Sequence, residues 1–252
     1  METPSVWPSV TQAMVTISGS ALARYMLDHV QDGWYQVEGD EFPVAGEAYV
    51  LSVTDTGWGD LMASSSVPLV KSSLLSYAVS PRDRQLGLRR SCEAAVRITD
   101  SPSAEYYLIR IQQATSQDGA SPYTWTSFES SAAALRTSPE AVLDWAQLQL
   151  ADDQFHWGAW FADDLFEGGT YDVDMDCRSY MEDDQPLIFR VLVTALSPEL
   201  FEYEQTVAKQ ESYLGASLFF VQRPPSVKSN VEGGLGIFAG YHTVIHEFRY
   251  AE

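Results

Sequence analysis

Three groups of side chains in this sequence have types and spacings that bear on chemistry. "SNVEGGLGIFAG" (229–240) contains Gly234-Leu-Gly236-Ile-Phe-Ala239, which fits the G-x-G-x-x-G/A pattern of a dinucleotide-binding loop. Asp172, Asp174 and Asp176 alternate along the chain, and carboxylate oxygens of this kind suit calcium. His242 and His246 stand four residues apart, a spacing that on a helix turns both rings toward one metal ion.

Each group meets a physical objection. A dinucleotide loop follows a strand and opens a helix, inside a unit of about 30 residues with an acid about 20 residues further on. Only sixteen residues follow Gly236, and "GIFAGYHTVIHEFRY" is β-branched and aromatic. The glycines therefore predict a turn into a strand from about Ile237, with no helix starting at Gly236. Gly233, Gly234, Gly236 and Gly240 then serve the backbone, through positive φ or close approach. An EF-hand loop places Gly sixth and Glu twelfth, where this chain has Cys177 and Asp183. On a strand, Asp172, Asp174 and Asp176 share one face, and a like-charged face is solvated. They stand as the calcium candidates. On a strand the two histidines also share a face, about 13 Å apart, too far for one ion. No cofactor is expected.

The serines of "MASSSV" (62–67) have no base nearby in sequence, and no G-x-S-x-G, H-E-x-x-H or Walker pattern occurs. The expectation is a protein without catalytic chemistry. Asp163, Asp164 and Asp172 lie among aromatics, which leaves one alternative: a hydrolase of extracellular polymer using dispersed carboxylates. Trp157, Trp160 and Phe161, in "FHWGAWF", are candidates for a platform that binds a small ligand, glycan or peptide. Core packing competes with that reading, because aromatics dominate cores as well as interfaces.

Composition narrows the partners. The 252 residues are 45% hydrophobic and 12% aromatic, so the chain can build a real core. Thirty-five acids against 15 bases give a net charge of −20. Such a surface repels nucleic acid and anionic membrane. No stretch reaches the ~20 apolar residues of a membrane-spanning helix, and "METPSVWPSV" lacks the pattern of a signal peptide. Cys92 and Cys177 are too few for a disulfide framework or a zinc site. They read as buried free thiols, with a single disulfide in an oxidising compartment as the alternative.

The elements that must position these residues are mostly strands. "AMVTISG" (13–19), "GWYQVEG" (33–39) and "EAYVLSVTD" (47–55) alternate with period two. Trp34 and Gln36 fall on one face, Tyr35 and Val37 on the other. In the third segment Val50, Ser52 and Thr54 oppose Tyr49, Leu51 and Val53. "ASSSVPLVKSS" resembles a linker or crossing strand, which places a boundary near residue 70. Further on, "EAAVRITD" (93–100) and "AEYYLIRIQQA" (104–114) form a strand–turn–strand pair. "PLIFRVLVTAL" (186–196) is a buried strand and "ASLFFVQ" (216–222) another. Helices are predicted over 138–150 and 197–214, each with Ser at the N-cap and Pro at the first position. The predicted fold is mainly β. An immunoglobulin-like β-sandwich (1–70) precedes a second antiparallel β-sandwich or barrel-like domain (71–252) with one or two helices.

The order of these pieces resembles the family of domain of unknown function 4249. "MVTISG", "DGWYQVEG…VAGEAYVLSVTD" and "ASSSVP" are similar to the family's N-terminal β-sandwich module. "AAVRITDSPSAEYYLIRI" is similar to its Asp-turn-Tyr-Tyr hairpin, and "FADDLFEGGTYDV" to a further conserved segment. "LSPELFEYEQTVAKQ" resembles its helix, and "EGGLGIFAGY" its closing signature. The resemblance implies a predicted surface lipoprotein of Gram-negative bacteria, associated with TonB-dependent outer-membrane receptors. It implies a binding or accessory role at the cell surface, and it carries over no catalytic residue. The leader, lipobox cysteine and additional early strand usual in the family are not visible in "METPSV". The lipid anchor is therefore unsupported by these residues, and the first sandwich is expected to have an incomplete edge.

Overall fold

The structure is a computed structural model. It describes residues 9–19, 24–37, 42–80, 91–102, 106–115, 123–126, 128–132, 158–164, 166–178, 187–216 and 226–250. The helix predicted over 138–150, the strand predicted over 216–222 apart from Ala216, and Trp157 lie outside these residues.

Five strands form the first sheet: β1 (Met14–Gly19), β2 (Arg24–Gln31), β3 (Trp34–Gln36), β4 (Ala48–Thr54) and β5 (Leu61–Ser66). Their order is β3-β2-β1-β4-β5, and all pairings are antiparallel. Period-two alternation sets the faces. Tyr25, Leu27, Val15, Ile17, Tyr49, Leu51, Val53, Leu61 and Ala63 lie on one face by register. Met14, Met26, Val50 and Met62 lie on the other, all exposed. One half of the first face is closed: Phe42, Ala45 and Phe238 pack over Ile17, Tyr25, Tyr49 and Leu51.

The linker reading of "ASSSVPLVKSS" is corrected here. Ser64, Ser65 and Ser66 belong to β5, residues 67–70 cross over, and Ser72 and Ser73 belong to β6 (Lys71–Ser80), which opens the next sheet. Serine has weak strand propensity, so tertiary pairing overrides it. β2 was also absent from the sequence reading. "RYMLDHVQ" lacks a clean apolar alternation because most of it faces solvent.

The second sheet joins β6 to β7 (Ser91–Thr99), β10 (Phe128–Glu129) and β12 (Thr170–Arg178), in the order β10-β12-β7-β6. The third joins β8 (Tyr106–Thr115), β9 (Thr124–Thr126), β11 (Ala159–Ala162), β13 (Leu187–Leu196) and β14 (Tyr241–Tyr250). Its order is β11-β8-β13-β14, with β9 also on β8.

These two sheets sandwich the main core. Cys92, Val96, Ile98, Val173 and Met175 from the second sheet meet Tyr107, Ile109, Phe161, Phe189, Val191, Val193 and Phe248 from the third. The helix α1 (Pro198–Ala216) covers the other face of the third sheet. There Leu108, Trp160 and Leu196 pack on Leu200 and Phe201, and Tyr106 stacks on Phe201 with ring centroids 4.0 Å apart. The molecule is mainly β, with antiparallel sheets and, among the described residues, one helix.

The helix starts where its cap predicts. The Leu200 amide donates to Ser197 Oγ at 3.4 Å, and Pro198 is the first helical residue. Its buried stripe is Leu200, Phe201, Glu204 and Ala208. Tyr203 and Val207, on the flank of that stripe, are only half-buried. No helix among the described residues is long and apolar enough to cross a membrane.

Candidate functional site

The glycine-rich segment is a hydrogen-bonded clasp. The Asn230 side chain donates to the Ser64 carbonyl (3.1 Å) and the Phe238 carbonyl (2.7 Å), and its Oδ1 accepts from the Phe238 amide at 2.8 Å. The Gly236 amide donates to Ser229 Oγ at 3.1 Å. Met62 and Glu232 exchange two backbone hydrogen bonds, of 3.1 and 2.7 Å, which covers the outer edge of β5. Amides used in this way are not available to cradle a phosphate.

Close approach explains two of the glycines. A Cβ at Gly233 would sit 2.5 Å from the Asp60 carbonyl, and one at Gly240 would overlap the Ser66 carbonyl. Gly240 also donates to Ser197 Oγ, while its carbonyl accepts from the Ser197 amide. One residue thus joins the helix cap, the end of β5 and the start of β14. The segment does run into a strand without a helix, as the sequence predicts, although regular pairing starts at Tyr241.

Trp160 and Phe161 are 1% and 0% exposed. As neighbours on β11 they point to opposite faces, Trp160 toward α1 and Phe161 into the sandwich. Strand periodicity alone separates them, a signal available in the sequence. Buried in this way, these two rings line no surface platform.

Asp172, Asp174 and Asp176 share the exposed face of β12. Arg97, the register partner of Asp172, engages both of its carboxylate oxygens at 2.7 Å. The Arg97 guanidinium holds the Asp172 carboxyl below its ordinary value. Asp176 lies between Glu129 and Glu93 in register, forming a row of acids across three strands. With Asp174 and Ser130, this row lines an open groove of about 540 Å³. Among the described residues no group of three or more His, Cys, Asp or Glu is placed to hold a metal ion.

His242 and His246 clasp the two sheets of the sandwich. The Val70 amide donates to His242 Nδ1 at 3.2 Å, and Ser72 Oγ lies 2.9 Å from His246 Nε2. Burial lowers the His246 pKa from 6.5.

The two family-like motifs around Asp100 and Asp163 meet in one knot. Asp100 accepts from the Ser101 amide (2.7 Å), the Gly168 amide (2.7 Å) and the Tyr107 hydroxyl (3.0 Å). Its own amide donates to the Gly169 carbonyl. Asp163 is pushed up to about 6, by burial first and by the adjacent Asp100 carboxylate next. Tyr107, Phe161, Phe166 and Tyr171 pack beside the knot.

The open half of the first sheet is different in kind. Val15, Leu27, Leu51, Val53 and Leu61 floor an apolar groove of about 550 Å³, with Trp34 and Tyr35 at its side. Tyr35 pins the strand entry: its hydroxyl accepts from the Ala13 amide at 2.9 Å and donates to the Val10 carbonyl at 3.1 Å. Trp34 follows the Asp32–Gly33 turn and is 72% exposed. Trp58, also 72% exposed, lies in the β4–β5 loop at the same end of the sheet. Its loop is ordered: the Trp58 amide donates to Thr56 Oγ1 at 3.0 Å, which donates to the Gly59 carbonyl at 2.7 Å. Leu235, 95% exposed, caps the clasp beside that loop. Among the described residues, Trp34 and Trp58 are exposed large hydrophobics at this end of the sheet, and exposed aromatics beside an apolar groove are characteristic of interaction surfaces. The sequence reading missed this site. Its signals were "TGWGD" and "DGWY", each an aromatic on a glycine turn.

No curated protein and no solved structure matches the chain. A family model does, described as Domain of unknown function (DUF4249), over residues 2–245. That span includes the first sheet, the Asp100–Asp163 knot, the whole clasp and both sheets of the sandwich as far as the middle of β14, and the chain belongs to this family.

Proposed function

We propose that this chain is a non-enzymatic binding or accessory protein of the cell surface, linked to uptake through TonB-dependent receptors of the outer membrane. The observation that carries the binding role is the half-open face of the first sheet. A monomer gains nothing by holding two tryptophans in water, one at a strand start and one on an ordered loop, whereas a docking surface does. The link to the outer membrane rests on the resemblance of the motif order. Affinity capture from outer-membrane extracts tests the reading. The protein is expected to retain a TonB-dependent receptor or its ligand, and the Trp34→Ala/Trp58→Ala variant to lose most of it. Repeated capture experiments that recover neither would overturn the proposal.

A further inference from the structure

The groove end of the first sheet carries a charge pattern as distinctive as its apolar one. Asp32 lies in the β2–β3 turn, Asp55 and Asp60 bracket the Trp58 loop, and Glu232 bridges to Met62. All four are exposed, and none forms an ion pair with a described residue. Residues 9–67 contain eight acids and one base. That base, Arg24, opens β2 at the opposite end from the turn.

Resting on the binding role proposed above, we infer that this end of the sheet docks a basic polypeptide surface, one that carries Arg or Lys beside apolar side chains. The apolar part enters the groove over Val15, Val53 and Leu61. The cations meet Asp32, Asp55, Asp60 and Glu232, and stack on the faces of Trp34 and Trp58. A cation over an indole gains from the ring quadrupole, and acids around the groove steer the partner in and fix its register. An acidic or neutral partner is disfavoured by the unrelieved negative field, which gives selectivity as well as attraction.

A synthetic peptide alternating arginine and leucine is the probe, measured by titration calorimetry. Its counterparts carry glutamate for arginine, or serine for leucine. Only the arginine–leucine peptide is expected to bind, with affinity falling as salt rises. Trp34→Ala/Trp58→Ala and Asp32→Asn/Asp55→Asn/Asp60→Asn should each weaken it about tenfold or more, with unchanged melting temperatures because all five side chains are on the surface. Glu93→Gln/Asp174→Asn/Asp176→Asn, in the acidic row of the second sheet, should leave binding unchanged. Equal loss in that control, or wild-type binding by the tryptophan variant, would reduce the effect to general attraction by an acidic protein and overturn the inference. So would a dimer in sedimentation that Trp58→Ala dissolves, since a second copy would then own the face. If receptor capture succeeds and the Asp→Asn variant captures equally well, the binding role stands and the basic partner falls.

Discussion

The Asp163 carboxyl lies beside the carboxylate of Asp100, two acids brought together from turns 63 residues apart in sequence. Burial and the Asp100 charge raise Asp163 from 3.8 to about 6. A raised carboxyl contributes its full stability below pH 3.8, and that contribution is lost as pH rises through about 6. The loss is expected to be about 1 kcal/mol after allowance for solvent screening. Asp163→Asn should flatten this part of the stability profile in urea unfolding between pH 4 and pH 7, about the window set by the two values. Asp100→Ala should instead destabilise at every pH, by about 2 kcal/mol or more, because it strands the buried Tyr107 hydroxyl.

The clasp glycines should rank by what faces them. Gly240→Ala meets the Ser66 carbonyl, and backbone cannot move aside cheaply. A loss of about 3 kcal/mol or more is expected. Gly236→Ala meets only Val231 at 3.6 Å, so its φ of +148° is the whole penalty, about 1 to 2 kcal/mol. Thermal unfolding of the two variants measures the difference. Equal losses would show that close approach to β5 is not what Gly240 provides.

His246 titrates the other way from Asp163. Burial depresses it below 6.5, so its neutral form is the native one. Its contribution is complete above pH 6.5 and is lost as pH falls through the lowered value. Amide exchange in β6 and β14 should quicken on mild acidification, and His246→Gln should remove that step while keeping a partner for Ser72.

Cys92 and Cys177 are register partners on β7 and β12, both fully buried and free. The hydrogen bond to Cys177 first, and burial next, raise the Cys92 thiol far above its ordinary value. The folded pair should therefore resist alkylation. Refolding from denaturant with oxidised glutathione should close the pair as a disulfide, two thiols giving up two protons and two electrons to the glutathione disulfide. Mass spectrometry after denaturing alkylation counts the remaining thiols. Two alkylated cysteines after oxidative refolding would show that the strand register holds the sulfurs in a geometry unfit for bonding.

Periodicity made much of this fold legible. The faces of β4 and the shared face of Asp172, Asp174 and Asp176 follow from a period of two. Local chemistry placed the Ser197 cap and denied the glycines a helix. What sequence could not supply was the identity of neighbours. The spacing of His242 and His246 rules out one ion, yet nothing local says that β6 stands opposite to receive them. The serines of β5 look like a linker because their strand is made by its neighbours, β4 on one side and the clasp on the other. Ser65, buried there, donates to Glu199 at 2.9 Å, a link across 134 residues. The docking groove was hidden for a related reason: an exposed tryptophan and a buried one look alike in sequence.

The clasp sets an order of events during synthesis. The outer edge of β5 is covered by Asn230, Glu232 and Gly240, about 170 residues later in the chain. Until those residues leave the ribosome, β5 presents unpaired backbone groups to any extended chain nearby. Contacts of such long sequence separation form slowly. A nascent first sheet therefore needs shielding until the clasp has been made, and a protein cut before Ser229 should aggregate through β5 rather than yield a working first module.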